Sequence, residues 1–177
     1  MKLLLENGAE VNAEGGQYGN ALQAADHAAI VKILIENGAE VNAGGGEYGN
    51  ALQAASFRGN DAIVKLLLEN GAEVNAGGGE YGNALQAASL NGKEEIVRLL
   101  LKNGAVVNKE GGVYGYALQA ASYEGHEVIV KLLLENGAEV NAGGGKYGNA
   151  LQAASCGGQE AIVITSPIYR TRSFNPR

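Results

Sequence analysis

Apolar positions along this chain fall into two kinds of short cluster separated by glycines. In the stretch Asn50-Ala51-Leu52-Gln53-Ala54-Ala55-Ser56, Leu52 and Ala55 lie three apart on one face of a short helix. Asn50 with Gln53 three residues later is a capping-box arrangement, which satisfies two orphan backbone donors. Arg58-Gly59-Asn60 breaks the pattern, and Asn60 or Asp61 offers a cap for a second helix from Ala62 to Asn70. Ile63, Val64, Leu66, Leu67 and Leu68 leave that helix apolar almost all round, so it must be covered on more than one side. Gly71 suits the left-handed position after its end. Residues 72–82 then link this helix pair to the next.

The same unit recurs along the chain. Tyr48, Tyr81, Tyr114 and Tyr147 follow one another at intervals of 33 residues, each opening a copy of Y-G-x-A-L-Q-A-A-S. Tyr18 precedes Tyr48 by only 30, so the first full unit is three residues short. A fixed period of this length marks stacked repeats, in which neighbouring copies cover one another. The expectation is an all-α solenoid of helix-turn-helix repeats joined by short inter-repeat β-hairpins. It spans residues 1–163: a partial repeat over 1–13, then repeats starting near 14, 44, 77, 110 and 143, the last one truncated. The first full unit lacks the turn glycine in Ala25-Asp26-His27-Ala28-Ala29-Ile30, which predicts a tighter connection between its helices. Ile164-Thr165-Ser166-Pro167 stands where Lys-Leu-Leu-Leu is expected, so 164–177 reads as a disordered, non-repeat tail. Neither end carries the polar capping repeat that a solenoid normally needs, and the chain is expected to be a piece of a longer array.

The run from Tyr48-Gly49-Asn50-Ala51-Leu52-Gln53 to Gly59, and on through Ile63-Val64-Lys65-Leu66-Leu67-Leu68 to Gly71-Ala72-Glu73-Val74-Asn75-Ala76, resembles the ankyrin repeat. Asn and Gln stand where that family has Thr and His, which keeps the capping chemistry. The Y-G-N-A-L-Q-A-A wording is similar to fungal ankyrin arrays, many of which form the sensor end of NACHT-type, NLR-like signalling ATPases. The resemblance implies a module without catalysis that grips a protein or peptide on a concave face. That face is lined by hairpin tips and by the ends of the first helices.

Composition narrows the alternatives. A net charge of −6 argues against a binder of nucleic-acid phosphates. No stretch is long and apolar enough to span a membrane, and the N-terminus has no signal-peptide pattern, so a cytoplasmic location is the default. The 28 glycines must serve repeated turns. Gly44-Gly45-Gly46-Glu47-Tyr48-Gly49 does satisfy G-x-G-x-x-G, a dinucleotide fingerprint. It follows a helix end rather than a sheet strand, however, and Glu47 and Glu80 beside the run would repel phosphate. An inter-repeat hairpin accounts for these glycines without any nucleotide. Cys156, His27 and His126 are too few and too scattered for a metal site or a nucleophile–base pair, and no cofactor is expected. His126 reads as a solvated turn residue.

Differences between copies collect in a few columns. Hairpin positions hold Gln17, Glu47, Glu80, Val113 and Lys146; the ends of the first helices hold Phe57 and Arg58, Leu90 and Asn91, Tyr123 and Glu124. Phe57, Leu90 and Tyr123 fall where solvent exposure is expected and would form an apolar stripe, a usual mark of an interaction surface. The fourth copy departs most, with Tyr116 replacing the cap Asn and Lys109-Glu110 replacing Ala-Gly. Candidate partner contacts are therefore Glu47, Phe57, Arg58, Glu80, Leu90, Asn91, Val113, Tyr116, Tyr123, Glu124 and Lys146. The other reading is structural: a module that stacks on other copies through uncapped repeat ends.

Overall fold

The computed structural model describes residues 2–165. Short helix α1 (Lys2–Glu6) is followed by helix pairs α2 (Ala21–Ala24) with α3 (Ala28–Glu36), and α4 (Ala51–Arg58) with α5 (Asp61–Glu69). Next come α6 (Ala84–Leu90) with α7 (Glu94–Lys102), α8 (Ala117–Glu124) with α9 (Glu127–Glu135), and α10 (Ala150–Cys156) with α11 (Glu160–Thr165). The last helix runs two residues past the expected end of the repeat array. The rest of the expected tail, 166–177, lies outside the described residues.

Side-chain size sets how the pairs stack. First helices bury Ala54, Ala55, Ala87, Ala88, Ala120 and Ala121 against their neighbours, and alanine lets helix axes approach closely. Second helices bury Val64, Leu67, Val97, Leu100 and Leu133 instead. First helices accordingly touch one another far more extensively than second helices do. The stack therefore bows, with hairpins and first helices on its inner side.

Hairpins join the pairs as the glycine runs predict. Strand β1 (Gly77–Gly78) pairs antiparallel with β2 (Gly82–Asn83), and single bridges such as Gly45 to Gly49 and Gly144 to Gly148 mark the same turn in other copies. Gly79 has φ +63°, and a Cβ there would lie 2.5 Å from the backbone of Tyr48 and Gly49 in the preceding hairpin. Glycine is required at that point because one backbone rests directly on another.

Two capping expectations change. Asn60 makes no side-chain cap for α5, because at φ −91°, ψ 77° it lacks the extended conformation that aims a cap side chain. The turn is held from the other side: the Gly59 and Asn60 amides both donate to Ala55 O at 3.0 Å, with Gly59 left-handed at φ 85°. The capping box is complete at Asn20/Gln23, Asn83/Gln86 and Asn149/Gln152 but half-made at Asn50, which accepts from the Gln53 amide without the return bond.

The glutamines also do something the capping motif does not predict. Gln86 Nε2 reaches into the next repeat and donates to Lys109 O, Gly111 O and Gly115 O at 3.2, 3.0 and 2.6 Å. Gln23, Gln53 and Gln119 make the equivalent bonds to the hairpins that follow them. On the opposite edge, Asn42 donates to Gly71 O at 3.0 Å and accepts from the Glu73 amide at 2.8 Å. Asn12, Asn75 and Asn108 repeat this pair of bonds. Each repeat is thus tied to the next along both edges, by largely buried glutamine amides on one and by more exposed asparagine amides on the other.

Candidate functional site

The hairpin tips form a continuous backbone ladder along the inner side. The Glu47 amide donates to Gln17 O at 2.9 Å, Glu80 to Glu47 O and Val113 to Glu80 O at 3.0 Å, and Lys146 to Val113 O at 2.8 Å. Scaffold bonds therefore use only backbone atoms here, and the side chains are free to differ. Glu80, Val113 and Lys146 are exposed, while Glu47 is half-buried. Glu47 accepts from Gln17 Nε2 at 2.6 Å and from the Tyr81 hydroxyl at 3.3 Å.

Behind the tips lies a row of tyrosines. Phe57 sits between Tyr48 and Tyr81, with ring centroids 5.4 and 4.4 Å away. Tyr123 sits between Tyr114 and Tyr147 at 5.7 and 4.5 Å. These are ordinary separations for packed aromatic pairs. Leu90, in the same column, is only 8% exposed. The expected stripe of exposed apolar groups is therefore not what the structure contains. Phe57 and Tyr123 are half-buried wedges between successive tyrosines, each closest to the tyrosine of the next repeat, and Leu90 is buried.

Arg58 and Asn91 also turn inward, to the ends of preceding first helices. Those ends leave carbonyls without an intrahelical partner. Phe57 O accepts from Asn91 Nδ2 at 2.6 Å, Leu90 O from His126 Nε2 at 3.0 Å, and Tyr123 O from Gln159 Nε2 at 3.1 Å. His126 is thus a half-buried tie rather than a solvated residue, and the carbonyl acceptor requires its Nε2 to carry a proton. Arg58 serves the shortened first unit. Its guanidinium donates to Gln23 O at 2.9 Å, pairs with Asp26 at 3.1 Å and lies 5.6 and 5.0 Å from the Tyr18 and Tyr48 ring centroids. Helix α2 has only four residues, and Arg58 occupies the place where the missing turn would have satisfied that carbonyl. Arg58→Met is expected to destabilise the protein by about 2 kcal/mol, the value of a charge-assisted hydrogen bond to a partly buried carbonyl. Amide exchange over residues 21–36 checks it, since the loss should concentrate there.

The departures of the fourth copy belong together. Burial first, then the charge of Glu110, raises the Tyr116 hydroxyl above its ordinary value. Its backbone amide still donates to Gln119 Oε1 at 2.8 Å, so half of the capping box survives without Asn. Glu124 remains exposed. Of the candidate contacts, then, Glu80, Val113, Glu124 and Lys146 are open on the inner side, and Glu47 and Tyr116 partly so. Phe57, Arg58 and Tyr123 hold the repeats together, Leu90 is buried, and Asn91 ties to Phe57 O while remaining exposed.

The carboxylates leave an electrostatic mark on the tyrosine row. Burial, then Glu47 and Glu80, pushes the Tyr81 hydroxyl up to about 12. The unfolded chain releases this proton near the ordinary value of 10, before the folded protein does. Stability is therefore full below pH 10 and is lost as pH rises from 10 to about 12. Glu47→Gln should lower the Tyr81 titration, read as phenolate absorbance in a difference spectrum against the unsubstituted protein. An unchanged titration would mean that Glu47 has no part in the shift and would leave burial and Glu80 as its causes.

Among the described residues no three His, Cys, Asp or Glu side chains cluster as metal ligands, and no helix is long and apolar enough to cross a membrane. Comparison with family profiles finds one described as ankyrin repeats in three copies, matching residues 1–78, 21–111 and 52–144. A search of curated proteins returned no match.

Proposed function

Since the chain belongs to the ankyrin-repeat family, we propose that it is a non-catalytic interaction module that binds a protein or peptide on its concave inner side. Ankyrin repeats are typically protein–protein interaction modules. The observation that carries the reading is the hairpin ladder. Its backbone bonds are uniform from repeat to repeat, while the side chains it presents run from acidic Glu80 through apolar Val113 to basic Lys146. A fixed frame with varied, exposed tips is suited to recognition.

Selection of binders from a random-peptide library tests this. Selected peptides should lose affinity for a Glu80→Ala/Val113→Asp/Lys146→Ala variant that keeps its helical circular dichroism. Peptides that bind this variant undiminished would sink the reading. Phe57, Leu90 and Tyr123 are unsuited to such a test, because their packing between repeats makes substitution a stability experiment.

The wider context we infer is the sensor portion of a larger fungal NACHT- or NLR-like signalling protein in the cytoplasm. It rests on the Y-G-N-A-L-Q-A-A wording alone, and the genomic sequence flanking this reading frame tests it. One observation favours a second reading, assembly by stacking of repeat ends. Leu151 is 44% exposed, whereas Leu22, Leu52, Leu85 and Leu118 at the same position in other copies are buried. Light scattering separates the two, since assembly requires oligomers that grow with concentration.

A further inference from the structure

We propose that the middle of the inner side, over Tyr81 and Tyr114 and bordered by Glu47, Glu80 and Glu124, docks an arginine- or lysine-rich segment of a partner protein. This deepens the concave-face reading and rests on it. The protein itself displays the chemistry at both ends of the tyrosine row. At one end the Arg58 guanidinium lies over Tyr18 and Tyr48, with the Asp26 carboxylate 3.1 Å away. At the other, Lys146 Nζ lies 5.3 Å from the Tyr147 ring centroid. A cation over tyrosine faces beside a carboxylate is an attractive arrangement, stronger where water is partly excluded.

The two middle tyrosines hold no cation of their own among the described residues. They do have the carboxylates. Glu47 and Glu80 act electrostatically on Tyr81, and Glu80 and Glu124 on Tyr114. None of these three acids belongs to an ion pair among the described residues; the basic partners that are present serve Glu36, Asp26, Glu94 and Glu127. Glu47 is held by neutral donors only, Gln17 and the Tyr81 hydroxyl. Three uncompensated negative charges therefore border two tyrosines whose outer neighbours each already receive a cation. Buried Leu90 holds, in this copy, the sequence position that Phe57 and Tyr123 hold in the flanking ones. Tyr81 stacks on Phe57 and Tyr48, and Tyr114 packs on Tyr123 and Tyr147, but among the described residues no aromatic ring lies between Tyr81 and Tyr114. Complementary charge fixes which partners are admitted and how fast they arrive. An acidic or phosphorylated segment would be repelled here.

The test is fluorescence anisotropy of the full chain with two labelled nine-residue probes, one of alternating Arg and Gly and one of alternating Glu and Gly. The Arg probe should bind and the Glu probe should not. Glu80→Gln/Glu124→Gln should weaken the Arg probe about tenfold, from two ion pairs strengthened by the adjoining rings. Glu69→Gln/Glu135→Gln makes the same change in net charge at the ends of α5 and α9 and should leave binding nearly unchanged. Equal weakening by both variants, or no binding of the Arg probe, would overturn the proposal. Library-selected peptides that map to the inner side but carry no excess of Arg or Lys would also overturn it while leaving the concave-face reading in place. Circular dichroism of both variants confirms that these exposed substitutions leave the helices intact.

Discussion

Gly79→Ala is expected to cost about 3 kcal/mol or more, while Gly71→Ala costs about 1 kcal/mol. The two glycines share a left-handed backbone, at φ +63° and +83°, so the intrinsic penalty on alanine is similar. Their surroundings differ. A Cβ on Gly71 would meet nothing within 4 Å, whereas one on Gly79 would lie 2.5 Å from Gly49 N and Tyr48 C and 2.6 Å from Glu47 O. Those are backbone atoms of the preceding hairpin and cannot swing aside as a side chain would. Either the two repeats separate locally, breaking the Glu80-to-Glu47 bond of 3.0 Å, or the hairpin abandons its turn. Urea denaturation of both variants checks this. Equal losses would mean that the hairpins do not rest on one another as described.

Gln86→Ala is expected to cost about 3 kcal/mol, and Gln152→Ala less than about 1 kcal/mol. Gln86 is 2% exposed and joins the Asn83 amide to three carbonyls of the next hairpin. Truncation leaves four backbone groups short of a partner and opens a cavity in the seam between repeats. Gln152 keeps the bond to the Asn149 amide at 2.9 Å but is exposed, with no described repeat beyond it to clamp. Hydrogen exchange supplies a local reading, because the Gly111 amide, bonded to Gly115 O at 2.8 Å, should lose protection in Gln86→Ala. Retained protection would show that the hairpin closes without the glutamine. The pair of variants separates the capping role, common to both residues, from the clamp that only the interior copy makes.

Much of the fold is legible in the sequence because the repeat repeats its own evidence. The 33-residue interval, the Asn-to-Gln spacing and the glycines after each helix all describe bonds within a few residues of one another. Short-range geometry of that kind is fixed by local backbone preference, and the helices and hairpins stand where it puts them. Shortening of the first unit was legible too, as a missing Gly between Asp26 and Ile30. Its remedy was not, because Arg58 lies more than 30 residues from Gln23 and the repair required knowing which side chain the stack brings back.

The candidate site was read less well, for a related reason. Variation between copies identifies positions free of local constraint, but in a stack the constraint also comes from the neighbouring repeat. Phe57 and Tyr123 each fill the notch between two tyrosines, and Leu90 in the same column is buried, so a large apolar group serves there whatever its shape. Asn91, His126 and Gln159 differ as well, yet each donates one bond to a carbonyl at the end of the preceding first helix. A volume or a single donor can be supplied by several residue types, so these columns vary while remaining structural. At the hairpin tips the backbone carries the ladder, so the side chains of Glu80, Val113 and Lys146 are free to vary in the open.

By itself, then, the sequence determined the repeat, its helix pairs and the hairpin turns that its glycine runs form. All of these follow from the order and spacing of residues along one unit. The tertiary structure alone decided what each unit does to the next. It turned Gln86 from a helix cap into a clamp, closed the short first unit with Arg58, and sorted the variable positions into buried wedges and open tips. Those outcomes depend on contacts between residues about one repeat apart, and no pattern within a single unit specifies which of its faces its neighbour will cover.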